Sequence, residues 1–283
     1  ELSSAEIKDY SGDLILPGMV DLHLHAPQYG FRGTKMDLEL LDWLNVNTFP
    51  EEAKYQNLDY AERGYQDFVE DLRGSATTRA VIFATLHKDA TLLLMKLLEE
   101  SGLLSYVGKV NMDRNSPEYL TEHTAEESLK NTKEWLSEIP KDWQNCKPIL
   151  TPRFTPTCSD ALMEGLGKLA KEYKLPVQSH LSENLGEIAW VKELCPDAKH
   201  YGDTYDRYGL LENSIMAHCV YTEGEELSAL KARGTMICHC PQSNTNLCSG
   251  AAPIRYFLEE NVKVGLGTDV AGGANLSMLR AIT

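Results

Sequence analysis

The sequence has no concentrated tract of lysine or arginine. Its 27 basic residues stand against 42 acidic ones, a formal net charge of −15, so the electrostatic footprint of a protein that grips a duplex or an anionic membrane is missing. Long apolar runs are missing too: a stretch such as AVIFA at 80–84 is far below the ~20 residues that span a bilayer. No charged-then-apolar signal segment opens the residues given, and the expectation is a soluble, cytoplasmic protein. The seven cysteines (Cys146, Cys158, Cys195, Cys219, Cys238, Cys240 and Cys248) are an odd number without a compact disulfide framework, which fits free, buried thiols in a reducing compartment. Cys238-x-Cys240 followed by Cys248 lacks the paired C-x-x-C spacing of a structural zinc knot. A Gly-rich phosphate turn early in the chain is also absent, and this disfavours a doubly wound open sheet.

What is present is a rhythm. Apolar, β-branched runs recur at 14–25, 77–86, 106–112, 147–154, 176–180, 214–220, 235–240 and 262–269, each followed by a polar or Gly/Pro-containing turn. Helical periodicity fills the intervals, at 92–100, 160–173, 187–194 and 254–260, and Thr124-x-x-Glu127 and Thr222-x-x-Glu225 fit capping boxes. Eight such βα units in 283 residues match the roughly 250 residues of a (β/α)8 barrel, an α/β fold whose parallel strands are joined by right-handed crossovers. The insertion at 30–57, with Trp43, Phe49 and Pro50, reads as a lid over the barrel mouth. The final segment 276–282 reads as the opening of a helix.

In this fold catalytic residues sit at the carboxyl ends of the strands. His23 and His25 end the first strand, where alternate side chains point the same way. His180 ends the fifth, His218 the sixth, and Asp269 the eighth. Imidazole and carboxylate at these positions suit zinc or iron. Taken singly, a histidine on an apolar strand, such as His218 or His239, is more often a satisfied core residue. His87 reads as structural or supporting, and His123 and His200 as exposed.

The segments VDLHLH (20–25), SHLSEN (179–184), MAHC (216–219), HCPQSN (239–244) and GTDVAGG (267–273) resemble the amidohydrolase superfamily, specifically its mononuclear-metal aminohydrolase branch, over nearly the whole chain. PQYGFRGTK (27–35), LDWL (41–44) and TPRF (151–154) resemble the guanine deaminase family within it. The resemblance implies one Zn2+ or Fe2+ on His23, His25, His180 and Asp269, with a position left for water. Arg153, where the binuclear branch carries a carboxylated lysine, agrees with one metal.

By the same resemblance Glu183, His218 and Asp269 are catalytic: Glu183 as proton shuttle, His218 and Asp269 around the attacking water. The base would be read by Gln28 and Arg153, with Phe154 packing on it, Trp43 closing over it, and His180, Glu183, His218 and Asp269 also lining it. The implied reaction is hydrolytic deamination of guanine to xanthine, with a homodimer as the implied assembly. A sister enzyme acting on cytosine, an adenine nucleoside or an s-triazine, and a non-catalytic scaffold, are the alternatives. Relatives surround the barrel with a small β-sandwich built from both chain ends. Residues 1–12 are therefore expected to be a remnant of it, and 13–283 the barrel, its last helix cut short.

Overall fold

The structure, a computed structural model, describes residues 6–282. Of the segment expected to belong to a flanking sandwich, residues 1–5 lie outside the described part, and residues 6–12 contain a turn and no strand. The first strand starts later than the apolar run suggests: Leu14, Ile15 and Leu16 are exposed, and β1 is Met19–His25.

The other strands are β2 (Thr77–Phe83), β3 (Leu104–Gly108), β4 (Val110–Asn111), β5 (Cys146–Pro148), β6 (Thr151–Pro152), β7 (Val177–Leu181), β8 (Ser214–His218), β9 (Met236–His239) and β10 (Lys263–Leu266). All pairings are parallel. One run is β1-β2-β3-β5, another is β7-β8-β9-β10, and β4 pairs with β6. The third and fourth expected strands are thus each split in two, so eight strand positions hold ten segments. Gly108 marks the first break, where a Cβ would overlap the Thr151 side chain; only glycine lets the neighbouring strand approach so closely.

Two joints close the ring. Leu150 N–H donates to Pro176 O (3.0 Å) and Gln178 N–H to Leu150 O (2.9 Å); at the far seam Asp269 N–H donates to His23 O and His25 N–H to Val270 O, both at 2.8 Å. The second joint stitches the end of β1 to the segment after β10, bringing two sequence-distant parts of the expected site together.

Helices cover the outside because their apolar residues fall on one stripe. In Leu58–Gly74 the buried positions are Ala61, Tyr65, Phe68, Val69 and Leu72, and Asn57 caps the start by accepting from Tyr60 N–H. Asp160–Tyr173 has the bounds its periodicity predicts, with Ser159 as cap. Lys88–Ser101, Leu185–Leu194 and Ile254–Glu259 fall on the other predicted intervals with their ends within four residues of those expected. At Ala125–Glu138 Thr124 accepts from Glu127 N–H as predicted, but the Glu127 carboxylate reaches back to His123 N–H.

The box at Thr222 is not formed. That helix is Gly224–Arg233 with Glu223 at its cap, and the Thr222 hydroxyl donates instead to the buried Glu226 carboxylate. A true capping box lies at Asn184 and Glu187. No helix among the described residues is long and apolar enough to cross a membrane.

Candidate active site

Four donor atoms meet at the barrel mouth. His23 Nε2 lies 3.2 Å from His25 Nε2 and 3.2 Å from Asp269 Oδ1. His25 Nε2 is 3.4 Å from the same oxygen and 3.3 Å from His180 Nε2. Ligands held at about 2.0–2.1 Å by a tetrahedral ion stand about 3.4 Å from one another, so these spacings fit a single small divalent cation.

The protonation pattern fits as well. His180 Nδ1–H donates to the Arg153 carbonyl oxygen at 2.6 Å, which leaves the Nε2 lone pair free to face the cluster. Burial lowers the pKa values of His23, His25 (to about 4) and His180, keeping the imidazoles neutral as ligands must be. Burial alone would raise Asp269, but the surrounding histidines outweigh it and hold the carboxylate well below its usual range. Asp269 (φ 47°) and His218 (φ 73°) both have left-handed backbones, uncommon for residues other than glycine and typical of side chains aimed by a rigid frame.

Beside this cluster sit Glu183 and His218. Glu183 Oε2 is 3.4 Å, and Asp269 Oδ2 3.7 Å, from His218 Nε2. Nδ1–H of His218 donates to Asn244 Oδ1 at 2.8 Å, which turns Nε2 toward the two carboxyls. Glu183 accepts from Ser249 Oγ at 3.2 Å. Burial first, and the nearby Asp269 charge second, raise its pKa well above the ordinary carboxyl value, as a group that must carry a proton at neutral pH requires.

A small cavity opens over these groups, and Gln28, Arg153, Phe154 and Trp43 line it with them. Gln28 Oε1 accepts from Ala271 N–H at 3.3 Å. The insertion folds as short helical turns whose Leu40, Trp43 and Leu44 form the roof, so it covers the site as a lid would. Its Glu52 is fully buried and accepts from Gln28 Nε2 at 2.9 Å and from Arg153 at 2.7 and 3.1 Å. Two of Arg153's donors, expected to face a ligand, are therefore engaged by the protein itself.

Every predicted site residue lies at this cavity or in the donor cluster beneath it. The sequence reading missed Glu52, Asn244, Ser249 and Glu187, which hold those residues in place. Asn244 stood inside a quoted motif and could have been noticed as a polar residue after a strand end; Glu52 carried no signal distinguishing it from Glu51. His123 is exposed and His239 half-buried. His87 precedes helix Lys88–Ser101 as its cap residue. His200, expected to be exposed, is mostly buried and lies 3.7 Å from Glu226. Six cysteines are buried; Cys248 is exposed, and all seven are free.

Comparison with known proteins agrees with the geometry. The family model described as "Amidohydrolase family" matches residues 14–283. The chain is 47% identical over 282 residues to guanine deaminase of Rattus norvegicus and 46% identical over 282 residues to that of Homo sapiens, in each case covering 98% of this chain and 62% of the relative. The chain thus spans about three-fifths of the length of these curated relatives. A crystal structure of guanine deaminase from C. acetobutylicum with guanine bound in its active site superposes with a TM-score of 0.92 at 48% identity, covering 99% of this chain and 69% of that one.

Proposed function

The chain belongs to the amidohydrolase family, and from that premise we propose that it catalyses the hydrolytic deamination of guanine to xanthine and ammonia. The observation that carries this reading is one cavity lined by two chemically different sets of groups. His25, His180 and Asp269 of the donor cluster line it with Glu183 and His218, and so do Gln28 and Arg153, directional hydrogen-bonding groups suited to a flat, neutral base. Similarity to guanine deaminases over 98% of the chain supports the choice of base.

His23, His25, His180 and Asp269 would hold one divalent cation, Zn2+ or Fe2+. When bound it lowers the pKa of a water toward ~7 and so supplies a nucleophile at neutral pH. The rest is done by side chains. Glu183, held protonated by burial, gives its proton to the ring nitrogen next to the carbon that bears the amino group, which lets that carbon become tetrahedral. Asp269, through Oδ2, takes a proton from the attacking water while His218 Nε2 holds the water by hydrogen bonding. The carbon–oxygen bond forms, the carbon–nitrogen bond breaks, the leaving amine takes up the proton carried by Asp269 or His218, and the proton remaining on the new hydroxyl passes to Glu183, which restores the acid and leaves the lactam. Gln28 and Arg153 orient the ring, and Phe154 and Trp43 cover it. Family resemblance supports a homodimer in the cytoplasm.

The deciding experiment is ammonia release together with loss of guanine absorbance, run on metal-quantified protein against guanine, adenine, cytosine and their nucleosides. Guanine-selective turnover proportional to about one bound metal per chain is expected. Metal-loaded protein that turns over another base and not guanine overturns the assignment.

A further inference from the structure

Glu52 touches neither the donor cluster nor the proton-transfer groups. It lies on the short helix Phe49–Ala53 of the insertion and is fully buried. Its Oε1 accepts from both Gln28 Nε2 (2.9 Å) and Arg153 Nη2 (3.1 Å), and its Oε2 accepts from Arg153 Nη1 (2.7 Å). One lid carboxylate therefore clamps both side chains that face the base.

The clamp has two physical consequences. The first is orientation. With Nε2 of Gln28 on Glu52 and its Oε1 on Ala271 N–H (3.3 Å), the amide cannot flip without losing bonds at both ends. The second is charge. Arg153, only 2% exposed, would by itself be a buried cation and a strong receptor for anions. Two parallel bonds to Glu52 cancel that charge and leave the remaining N–H groups of its five as directional donors. The base-reading wall is thereby electrically neutral.

We propose that Glu52 is a specificity-determining residue that converts Arg153 from an anion receptor into a neutral hydrogen-bond donor, so that the pocket takes a neutral purine and rejects a purine anion. This rests on the guanine reading and deepens it. Replacing the amino group by oxygen gives a product that loses a proton more readily than the substrate, so the same carboxylate that admits the substrate favours release of the ionised product.

The probe is xanthine itself, measured by calorimetric binding to the metal-loaded protein and by product inhibition of guanine turnover, at pH values on either side of xanthine's first ionisation. In the wild type, affinity is expected to weaken as xanthine ionises. In Glu52→Gln, which keeps the shape and removes the charge, affinity for the ionised form is expected to rise at least about tenfold relative to wild type, while kcat/KM for guanine falls. Other titratable groups act on this wall: Tyr55, Tyr65 and His87 toward Glu52, and His23 and His25 toward Arg153. They are common to both proteins, so the difference between the two pH profiles isolates Glu52.

Equal profiles in folded, metal-replete wild type and E52Q overturn the proposal. Should E52Q not fold, Glu52→Ala measured in the same way is the second variant, and equal profiles in it and the wild type overturn the proposal as well. Absence of guanine turnover by the wild type would instead sink the functional reading on which the proposal stands.

Discussion

The backbone carbonyl of Arg153 accepts a 2.6 Å hydrogen bond from His180 Nδ1, so one residue lines the cavity with its side chain and fixes a candidate metal ligand with its main chain. The two duties are separable by mutation. Arg153→Ala keeps the carbonyl, so metal content is expected to stay near one per chain while kcat/KM for guanine falls at least ~10²-fold through loss of directional contacts. His180→Ala removes a donor from the cluster, and metal content itself is expected to fall well below one. Atomic absorption on both variants beside steady-state kinetics checks this; metal loss in Arg153→Ala would mean that the side chain, not the carbonyl, supports His180.

Glu183 and His218 face each other at 3.4 Å and are expected to divide the proton traffic. Glu183→Gln preserves the hydrogen bond from Ser249 but cannot release a proton. The prediction is a fall in kcat of about 10²–10⁴-fold with metal content and KM little changed. Asn244→Ala leaves both acid and base intact and frees the His218 ring, for which a 10–100-fold loss is expected. A variant at Asn244 as impaired as Glu183→Gln would show that orienting His218 matters as much as the proton itself.

The eight-unit rhythm and the strand-end residues that gather at the mouth were legible because both depend on local patterning: β-branched runs set the strands, and a strand's last residues must face the mouth. The interruptions at Gly108 and at 149–150 were not legible, since they answer to the neighbouring strand, where Thr151 occupies the space of a Cβ. Thr222 misled for a related reason. Its hydroxyl satisfies the buried Glu226 of the next helix, a tertiary demand that no capping spacing reveals. Glu52 and Glu51 are adjacent and alike in sequence. Only the folded lid sends one to Lys54, at 2.6 Å, and the other into the pocket, and the buried partners 24 and 101 positions away decide which.

Glu187 offers a pH-dependent test. It is buried, accepts from the backbone N–H groups of Glu183 and Asn184 at 3.0 and 3.3 Å and from Tyr201 OH at 2.7 Å. Burial is the main cause that raises its pKa from 4.5 to about 7. A carboxyl raised on folding holds its proton longer in the folded state. The stability it contributes is complete below about 4.5 and is lost as pH rises toward 7, with a slope of at most ~1.4 kcal/mol per pH unit for one proton. Glu187→Gln removes that slope. Urea unfolding at pH 5, 6 and 7 is expected to show the wild type losing ground to the variant as pH rises, and parallel curves would place the Glu187 proton elsewhere.

Two glycines of the eighth strand position separate packing from ligand placement. A Cβ on Gly267 would stand 2.7 Å from Cys238 Sγ, 2.9 Å from His23 Cβ and 3.0 Å from His23 O, so Gly267→Ala must displace the strand that carries His23. A Cβ on Gly265 would collide with the end of the Leu22 side chain, which can turn aside. Overpacking at Gly267 is expected to cost about 1–3 kcal/mol and to weaken metal retention under chelator challenge, because the 3.2 Å approach of His23 to Asp269 no longer holds. Gly265→Ala is expected to lose less stability and to keep its metal. Equal chelator resistance in the two variants would show that the donor cluster tolerates movement of the first strand, and that its geometry is set by Asp269 and His180 instead.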